Sequence, residues 1–472
     1  MASLDQGAGA ESASRSRIVA WIVATAFFMQ NLDGTVITTS LPAIAKDFHV
    51  EPLTMSIGVT AYLLALAATL PAAGWLADRF GARTIFSGAV ALFTLASVFC
   101  ALSPSLEPFI IARVLQGIGG ALTAPVGRLV VLRNTRTADM LNAISTITWP
   151  ALVAPVIGPP LGGFITSHAA WQWIFFLNVP LGVAGLVLAL LFIPNDRAEG
   201  HQSFDFIGFL LSGAALIVLL FSMQSFADAN GFALWPVGGL ALGAVLGWLS
   251  LRHFRRDPNP LVNLAPLKAR TFVLSVLASG LVVRVAINAT PFLMPLMFQL
   301  GWGLDPFAAG MLVLVYMAGN LLMKSITTPI IKRFGFRPVM IVNAVVIAIS
   351  IAATAVLAPT TPIVLTGAVL LIAGMSRSLQ FTSLATLTFA DIAAPDRAAA
   401  TTISSVMMQV SQTLGVAVAA SLLSIAAAFH GGGVTTADFG FAFVAIGILA
   451  LVSVIGPIRM ARDAGGEISG KA

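Results

Sequence analysis

Fourteen apolar stretches dominate this chain, each about as long as the ~20 residues that cross ~30 Å of hydrocarbon as a helix. They are read at 18–41, 54–77, 84–103, 106–132, 141–166, 173–193, 205–226, 233–254, 271–299, 306–331, 338–358, 361–389, 398–429 and 438–460. A lipid interior cannot satisfy open peptide groups, so such stretches have to be helical. The expected fold is therefore an all-α polytopic membrane protein with fourteen spans. Composition agrees: 58% of the 472 residues are hydrophobic and 9% charged, more apolar surface than a water-soluble fold can hide.

Basic residues test the count, because lysine and arginine are retained on the cytoplasmic side. With a cytoplasmic N-terminus, the inner segments hold Arg15, Arg17, Arg79, Arg83, Arg128, Arg133, Arg136, Arg197, Arg252, Arg255, Arg256, Lys268, Arg270, Lys332, Arg333, Arg337, Arg397, Arg459, Arg462 and Lys471. The outer loops hold Lys46 alone. Both termini are thus expected inside. Topology accounts for the basic balance, and nucleic acid is not invoked. The polar N-terminus reads as disordered and carries no cleavable signal.

A lone Cys100 excludes an internal disulfide and a cysteine metal cluster. The histidines, His49, His168, His201, His253 and His430, fall in loops or at span ends. No nucleophile–histidine pair, metal-ligand cluster or phosphate loop is recognisable, so neither an enzyme nor a cofactor is expected. The glycines of "QGIGGAL" follow no strand and lack nucleotide-loop spacing.

The chain repeats itself. "LADRFGAR" (76–83) and "IIKRFGFR" (330–337) share R-F-G-x-R at an offset of 254 residues, and "ARVLQ" from Ala112 and "SRSLQ" from Ser376 share R-x-L-Q at 264. Two matches in the same order suggest two six-span halves, 18–194 and 271–462, with a pair of extra spans and inner loops between them over 195–270. The flanks are an inner N-terminus, 1–17, and an inner tail, 463–472. Paired halves around a midplane site are the architecture of rocking secondary transporters.

"GWLADRFGAR" (74–83), "RVLQGIGGA" (113–121), "APVIGPPLGG" (154–163), "LDGTVITTSLP" (32–42) and "WQWIFFLNVPLG" (171–182) together resemble the signature set of the major facilitator superfamily. The resemblance is to its fourteen-span drug:proton antiporter branch, the multidrug resistance exporters. It implies a bacterial inner-membrane exporter driven by proton entry, working by alternating access, with the first and fourth spans of each half lining a central cavity. It leaves the substrate open.

The motifs also have physical readings. Gly74 and Gly81 flank Asp78 and Arg79, which with Arg83 can hold the neighbouring half by ion pairs as a conformational latch, or simply set topology. The second copy replaces the Asp78 equivalent with Lys332. In the fifth span, the antiporter motif packs Pro155, Gly158, Pro159, Gly162 and Gly163, where prolines kink the helix and glycines admit a second one.

The cavity spans carry Asp33, Arg113, Arg284 and Arg377. Burial favours a carboxyl's protonated form and a nearby guanidinium its ionised form. A movable Arg113 would therefore switch Asp33 between holding and releasing a proton, which makes this pair the candidate coupling site. Three cavity arginines against one acid suit a small organic anion such as citrate or a metal–citrate complex. Arg113, Arg284 and Arg377 would bind it, with Asn31, Gln116, Asn288, Gln380, Phe292 and Phe298 around them. Arginines paired with backbone carbonyls are the structural alternative, and Lys324 reads as a snorkelling residue. The competing function is broad multidrug efflux, with Phe292, Met294, Met297, Phe298, Tyr316 and Phe381 as an adaptable lining. Expected partners are the substrate, protons and membrane lipid, with the protein acting as a monomer.

Overall fold

The computed structural model describes residues 2–135, 139–194, 203–228, 234–430 and 434–461. His201, Arg136, Arg197, Arg462, Lys471, the tail 463–472 and the side chains of Arg15 and His430 lie outside the described residues.

Among the described residues there are helices and no strands. The first helix, α1, is Ala2–Asp47. Thirteen further helices are long and apolar enough to cross a membrane. They are α2 (Ser56–Phe80), α3 (Ala82–Leu102), α4 (Leu106–Asn134), α5 (Met140–His168), α6 (Trp173–Phe192), α7 (Phe206–Asp228), α8 (Leu234–Arg256), α9 (Arg270–Gly301), α10 (Pro306–Phe334), α11 (Phe336–Thr354), α12 (Ile363–Thr388), α13 (Arg397–His430) and α14 (Thr436–Arg459). The polar N-terminus differs from expectation, since α1 begins at Ala2.

The exterior is apolar and the interior holds the polar groups. Leu191, Ile207, Val364 and Trp149 are exposed, while Arg113, Gln116, Asn178 and Asp33 are buried. A lipid solvent lets apolar side chains face outward and confines charged ones to the protein interior. The copies of R-F-G-x-R each break two helices. Gly81 (φ 93°) separates α2 from α3, and Gly335 (φ 83°) separates α10 from α11. These conformations are rarely open to a residue with a Cβ, so the repeat marks a backbone requirement in both halves.

The halves meet along two seams, α5 against α10 and α2 against α13. At the first, a Cβ on Gly163 would collide with the Pro306 carbonyl and lie 2.8 Å from the Phe307 Cα, and one on Gly310 would meet the Pro159 backbone. Gly158 and Gly162 give the opposite face of α5 the same closeness to Thr35, Val36 and Thr39 of α1. α5 stays helical through its four prolines, so the motif's main effect here is two-sided close packing. Gln299 Nε2 donates to the Thr39 carbonyl (2.9 Å) and Phe307 N to Ser167 Oγ (3.2 Å), joining the halves at the end away from the chain termini.

At the terminus-bearing end the seam is open. A vestibule of about 1010 Å³ there is lined by Gly74, Asp78, Arg79 and Arg128 from one half and Ala398, Thr401 and Gln409 from the other. α7 packs on both α2 and α13, and α8 packs on α7. The inserted pair thus touches both halves from outside.

Candidate functional site

Deeper in, a cavity of about 290 Å³ lies between the halves. Gln409 lines both this cavity and the vestibule, so the central space adjoins the one at the terminus-bearing end. Its walls include Gln30, Asn31 and Gly34 of α1, Tyr62 of α2, Arg113 of α4, Asn288 and Phe292 of α9, Met317 of α10, Arg377 of α12 and Gln409 of α13. No carboxylate is among them.

Behind one wall sits a closed polar network. Arg113 Nη1 donates to Asp33 Oδ2 (2.7 Å) and to Gln116 Oε1. Gln116 Nε2 donates to Asp33 Oδ1 (2.8 Å) and Ser97 Oγ (2.9 Å). Asn178 Nδ2 donates to the same Asp33 oxygen (2.9 Å). Arg113 Nε reaches the Gly58 carbonyl (3.3 Å), and its guanidinium carbon lies 4.4 Å from the Tyr62 ring centroid. The pair is fully enclosed, with side-chain exposures of 0% and 2%. Its charges therefore cancel within a low-dielectric pocket, where unpaired ions are costly. Arg113 Nη2 is the one nitrogen of that guanidinium left without a hydrogen-bond partner.

The glycines of "QGIGGAL" make this geometry possible. A Cβ on Gly117 would strike the Tyr62 carbonyl, and one on Gly119 would lie 2.9 Å from the Ala89 carbonyl. They let α2 and α3 close on α4, which brings Tyr62 over Arg113 and Ser97 to Gln116.

The second half builds the same scaffold differently. Gln380, the mate of Gln116, accepts from Asn343 Nδ2 of α11 (2.8 Å) as Gln116 engages Ser97 of α3. Arg377, the mate of Arg113, pairs with no acid among the described residues. Its Nη1 donates to the Ile287 carbonyl (3.4 Å), and its guanidinium flanks the rings of Phe381 (5.1 Å) and Tyr316 (6.0 Å). Ile287 stands 254 residues after Asp33. Where the first half offers its arginine a carboxylate, the second offers a main-chain oxygen.

Several expectations need correction. Arg284 is buried and does not line the cavity. Its Nη1 donates to the Ser275 carbonyl (2.8 Å), freed where α9 widens into a π-turn over Val273–Leu277, which is the structural alternative. With Arg113 neutralised by Asp33, the predicted surplus of cavity charge falls to Arg377 alone. Gln116 and Gln380 serve the two polar networks behind the walls, and Phe298 packs in the core against Trp302 (4.9 Å). Of the proposed aromatic and methionine lining, Phe292 reaches the cavity, Tyr316 and Phe381 flank Arg377, and Met294 and Met297 are core. Lys324 is exposed.

The latch residues do not bridge the halves in this conformation. Asp78 Oδ1 pairs with Arg133 Nη2 of its own half (2.7 Å), neither Arg79 nor Arg83 forms an ion pair among the described residues, and nothing lies within 4 Å of a Cβ on Gly74. Asn178 and Ser97 escaped the sequence reading. Asn178 sits inside the quoted "WQWIFFLNVPLG", and an amide in an otherwise apolar span was the available signal.

Comparisons with known proteins fit this architecture. The chain is 38% identical over 408 residues, 86% of each chain, to relatives in Salmonella heidelberg (strain SL476) and Salmonella typhimurium (strain LT2) that carry the provisional name multidrug resistance protein MdtD. Among solved structures it resembles a D-xylose–proton symporter (TM-score 0.68, 14% identity, 95% of this chain and 98% of that one) and the POT family transporter PepTSo (TM-score 0.65, 12% identity, 96% and 98%). The Major Facilitator Superfamily model matches residues 23–416, and this multi-pass chain, a transporter and not an enzyme, belongs to that superfamily.

Proposed function

We propose that the protein is a proton-coupled exporter of the bacterial inner membrane that exchanges a small organic anion for entering protons, with both termini in the cytoplasm. The observation that carries this reading is the unequal pair of arginines. Arg113 is matched by Asp33, whereas Arg377 faces a cavity whose lining has no carboxylate. A guanidinium in that position recognises a carboxylate by paired N–H donors. Asn31, Asn288, Gln409 and Gln412 supply neutral polar groups around it. About 290 Å³ lies at the small end of ligand cavities, about 300–1,000 Å³, which suits an anion of citrate size.

In this scheme Asp33 carries the coupling proton. Protonation removes the charge that holds Arg113, Gln116 and Asn178 together, and so loosens α1, α4 and α6 at one point. The open terminus-bearing vestibule and the closed α5–α10 seam correspond to an inward-facing state. Closing that vestibule brings Gly74 and the Asp78 segment onto α13, the step in which the latch residues act.

Broad multidrug efflux is the second reading, favoured by the name of the relatives and by Phe292, Tyr62 and Met317 on the cavity wall. Thermal stabilisation of the purified protein separates the two, because a ligand of the folded state stabilises by RT ln(1 + [L]/Kd). Citrate and related carboxylates should stabilise the protein and lose the effect in Arg377→Gln. Stabilisation by lipophilic cations alone would overturn the anion reading.

A further inference from the structure

Helix α8 has two faces with different surroundings. Ser250 and Phe254 are buried. His253 Nε2 meets Asp205 Oδ1 (2.7 Å), and a Cβ on Gly208 of α7 would lie 2.5 Å from the Phe254 ring. The opposite face, repeating at intervals of three and four residues, presents Leu242, Val245, Trp248, Leu251, Arg252, Arg255 and Arg256, all exposed. At its last two turns this stripe forms a shallow concavity of about 270 Å³ lined by Trp248, Leu251, Arg252, Arg255 and Arg256. Arg252 lies 5.4 Å from the Trp248 ring centroid.

None of the three arginines forms an ion pair with a carboxylate among the described residues. Both nearby acids are turned to the packed face, where Asp205 and Asp257 engage His253. From Leu234 to Arg252 the helix rises about 27 Å, close to the ~30 Å of hydrocarbon. The arginines therefore stand at headgroup depth, with the apolar part of the stripe running beneath them along the acyl region.

We propose that this stripe is a binding site for an anionic phospholipid, its phosphate held by Arg252, Arg255 and Arg256 and an acyl chain lying along Leu251, Trp248, Val245 and Leu242. The shape and order of the groups match that ligand: cations where the phosphate lies, an indole at the glycerol level, aliphatic surface below. A second copy of this chain docked two-fold on the same stripe would set arginines against arginines, which disfavours a dimer through this face. The site has a mechanical consequence. α8 packs on α7, and α7 packs on both α2 and α13, so a lipid held on α8 braces, through α7, the place where the two halves meet at the open seam.

The test is lipid retention by the purified full-length protein, read by native mass spectrometry during titration with phosphatidylglycerol, phosphatidylcholine or inorganic phosphate. The wild type should retain phosphatidylglycerol in preference to phosphatidylcholine. At about fivefold per arginine, R252Q/R255Q/R256Q should weaken retention roughly a hundredfold. A K332Q/R397Q control, which removes exposed charge elsewhere at the same end, should stay within about twofold. Trp248→Ala, which keeps all three charges, should weaken retention by a smaller factor. Equal retention by the triple variant would overturn the proposal, as would an equal loss in the control, which would make the effect one of diffuse charge. Displacement of the lipid by inorganic phosphate at matched concentration would also overturn it, reducing the site to a free-anion contact.

Discussion

Neutralising the buried pair one partner at a time should make the cost of one variant depend on pH and leave that of the other independent of it. Asp33 accepts three hydrogen bonds of 2.7, 2.8 and 2.9 Å and is enclosed with Arg113. Removing one member of such a pair costs about 3–5 kcal/mol because the other charge is left buried. Asp33→Asn leaves a guanidinium that cannot shed its proton, so its cost should be the same from pH 5 to 8. Arg113→Gln leaves a carboxylate that can neutralise itself by taking a proton, so its cost should shrink as pH falls. The double variant leaves no buried charge and should cost less than the sum of the singles by about 3 kcal/mol. Unfolding in mixed micelles at several pH values measures all three, and proteoliposomes under an imposed proton gradient report transport. Additive single costs with identical pH dependence would refute the reasoning. Full gradient-driven uphill transport by Asp33→Asn would separately remove Asp33 from the proton pathway.

Other expectations follow from the same geometry. If anion and proton move in opposite directions, adding citrate to weakly buffered protein should not take up protons, whereas net proton uptake would mean movement in the same direction. Gly163→Ala should weaken closure of the α5–α10 seam, because its Cβ meets backbone and not a movable side chain; thiol labelling at Ser167→Cys should rise severalfold, and unchanged labelling would contradict the seam. Gly335→Ala places a Cβ at φ 83°, ψ 164°, a region nearly restricted to glycine, and should cost about 1–3 kcal/mol in unfolding. Burial pushes the Asp205 carboxyl up, but the Leu261 and Gly208 N–H groups and the His253 ring outweigh this and hold it below the usual carboxylate range. Its contribution is therefore fully present above about pH 4 and lost as pH falls through the lowered value. Asp205→Asn should accordingly destabilise the α7–α8 dock at neutral pH and matter little in strong acid, as amide exchange in α8 would record.

Fold was legible in the sequence because its determinants are local. Span length, inner arginines and the two repeated motifs each follow from bilayer thickness, charge retention or a glycine-only backbone, and none needs knowledge of a distant contact. The site was legible in part. Asp33 and Arg113 drew attention because a charge inside a span is expensive wherever it packs. Their partners Ser97 and Asn178 did not, because a hydroxyl or amide costs little enough to occur in spans for many reasons. Arg284 was misplaced because helix number predicts which face is near the cavity only if the helix is regular, and α9 widens at Val273–Leu277 and frees the Ser275 carbonyl for that arginine.

The two halves share a frame and differ in one atom set. Arg113 and Arg377 occupy matched positions, each followed three residues on by a glutamine that engages the third helix of its half. The position facing the arginine is Asp33 in one half and Ile287 in the other. A carboxylate at both would give two neutral pairs and a cavity with no preference for anions. Bare arginines at both would leave no carboxyl to carry a proton. On the proposed function, the single exchange of acid for isoleucine would divide the two tasks between the halves, so Ile287→Asp is the informative substitution. It should pair Arg377, abolish stabilisation by carboxylates, and leave the Asp33–Arg113 network untouched; persistence of carboxylate stabilisation in that variant would mean that Arg377 is not the anion's partner.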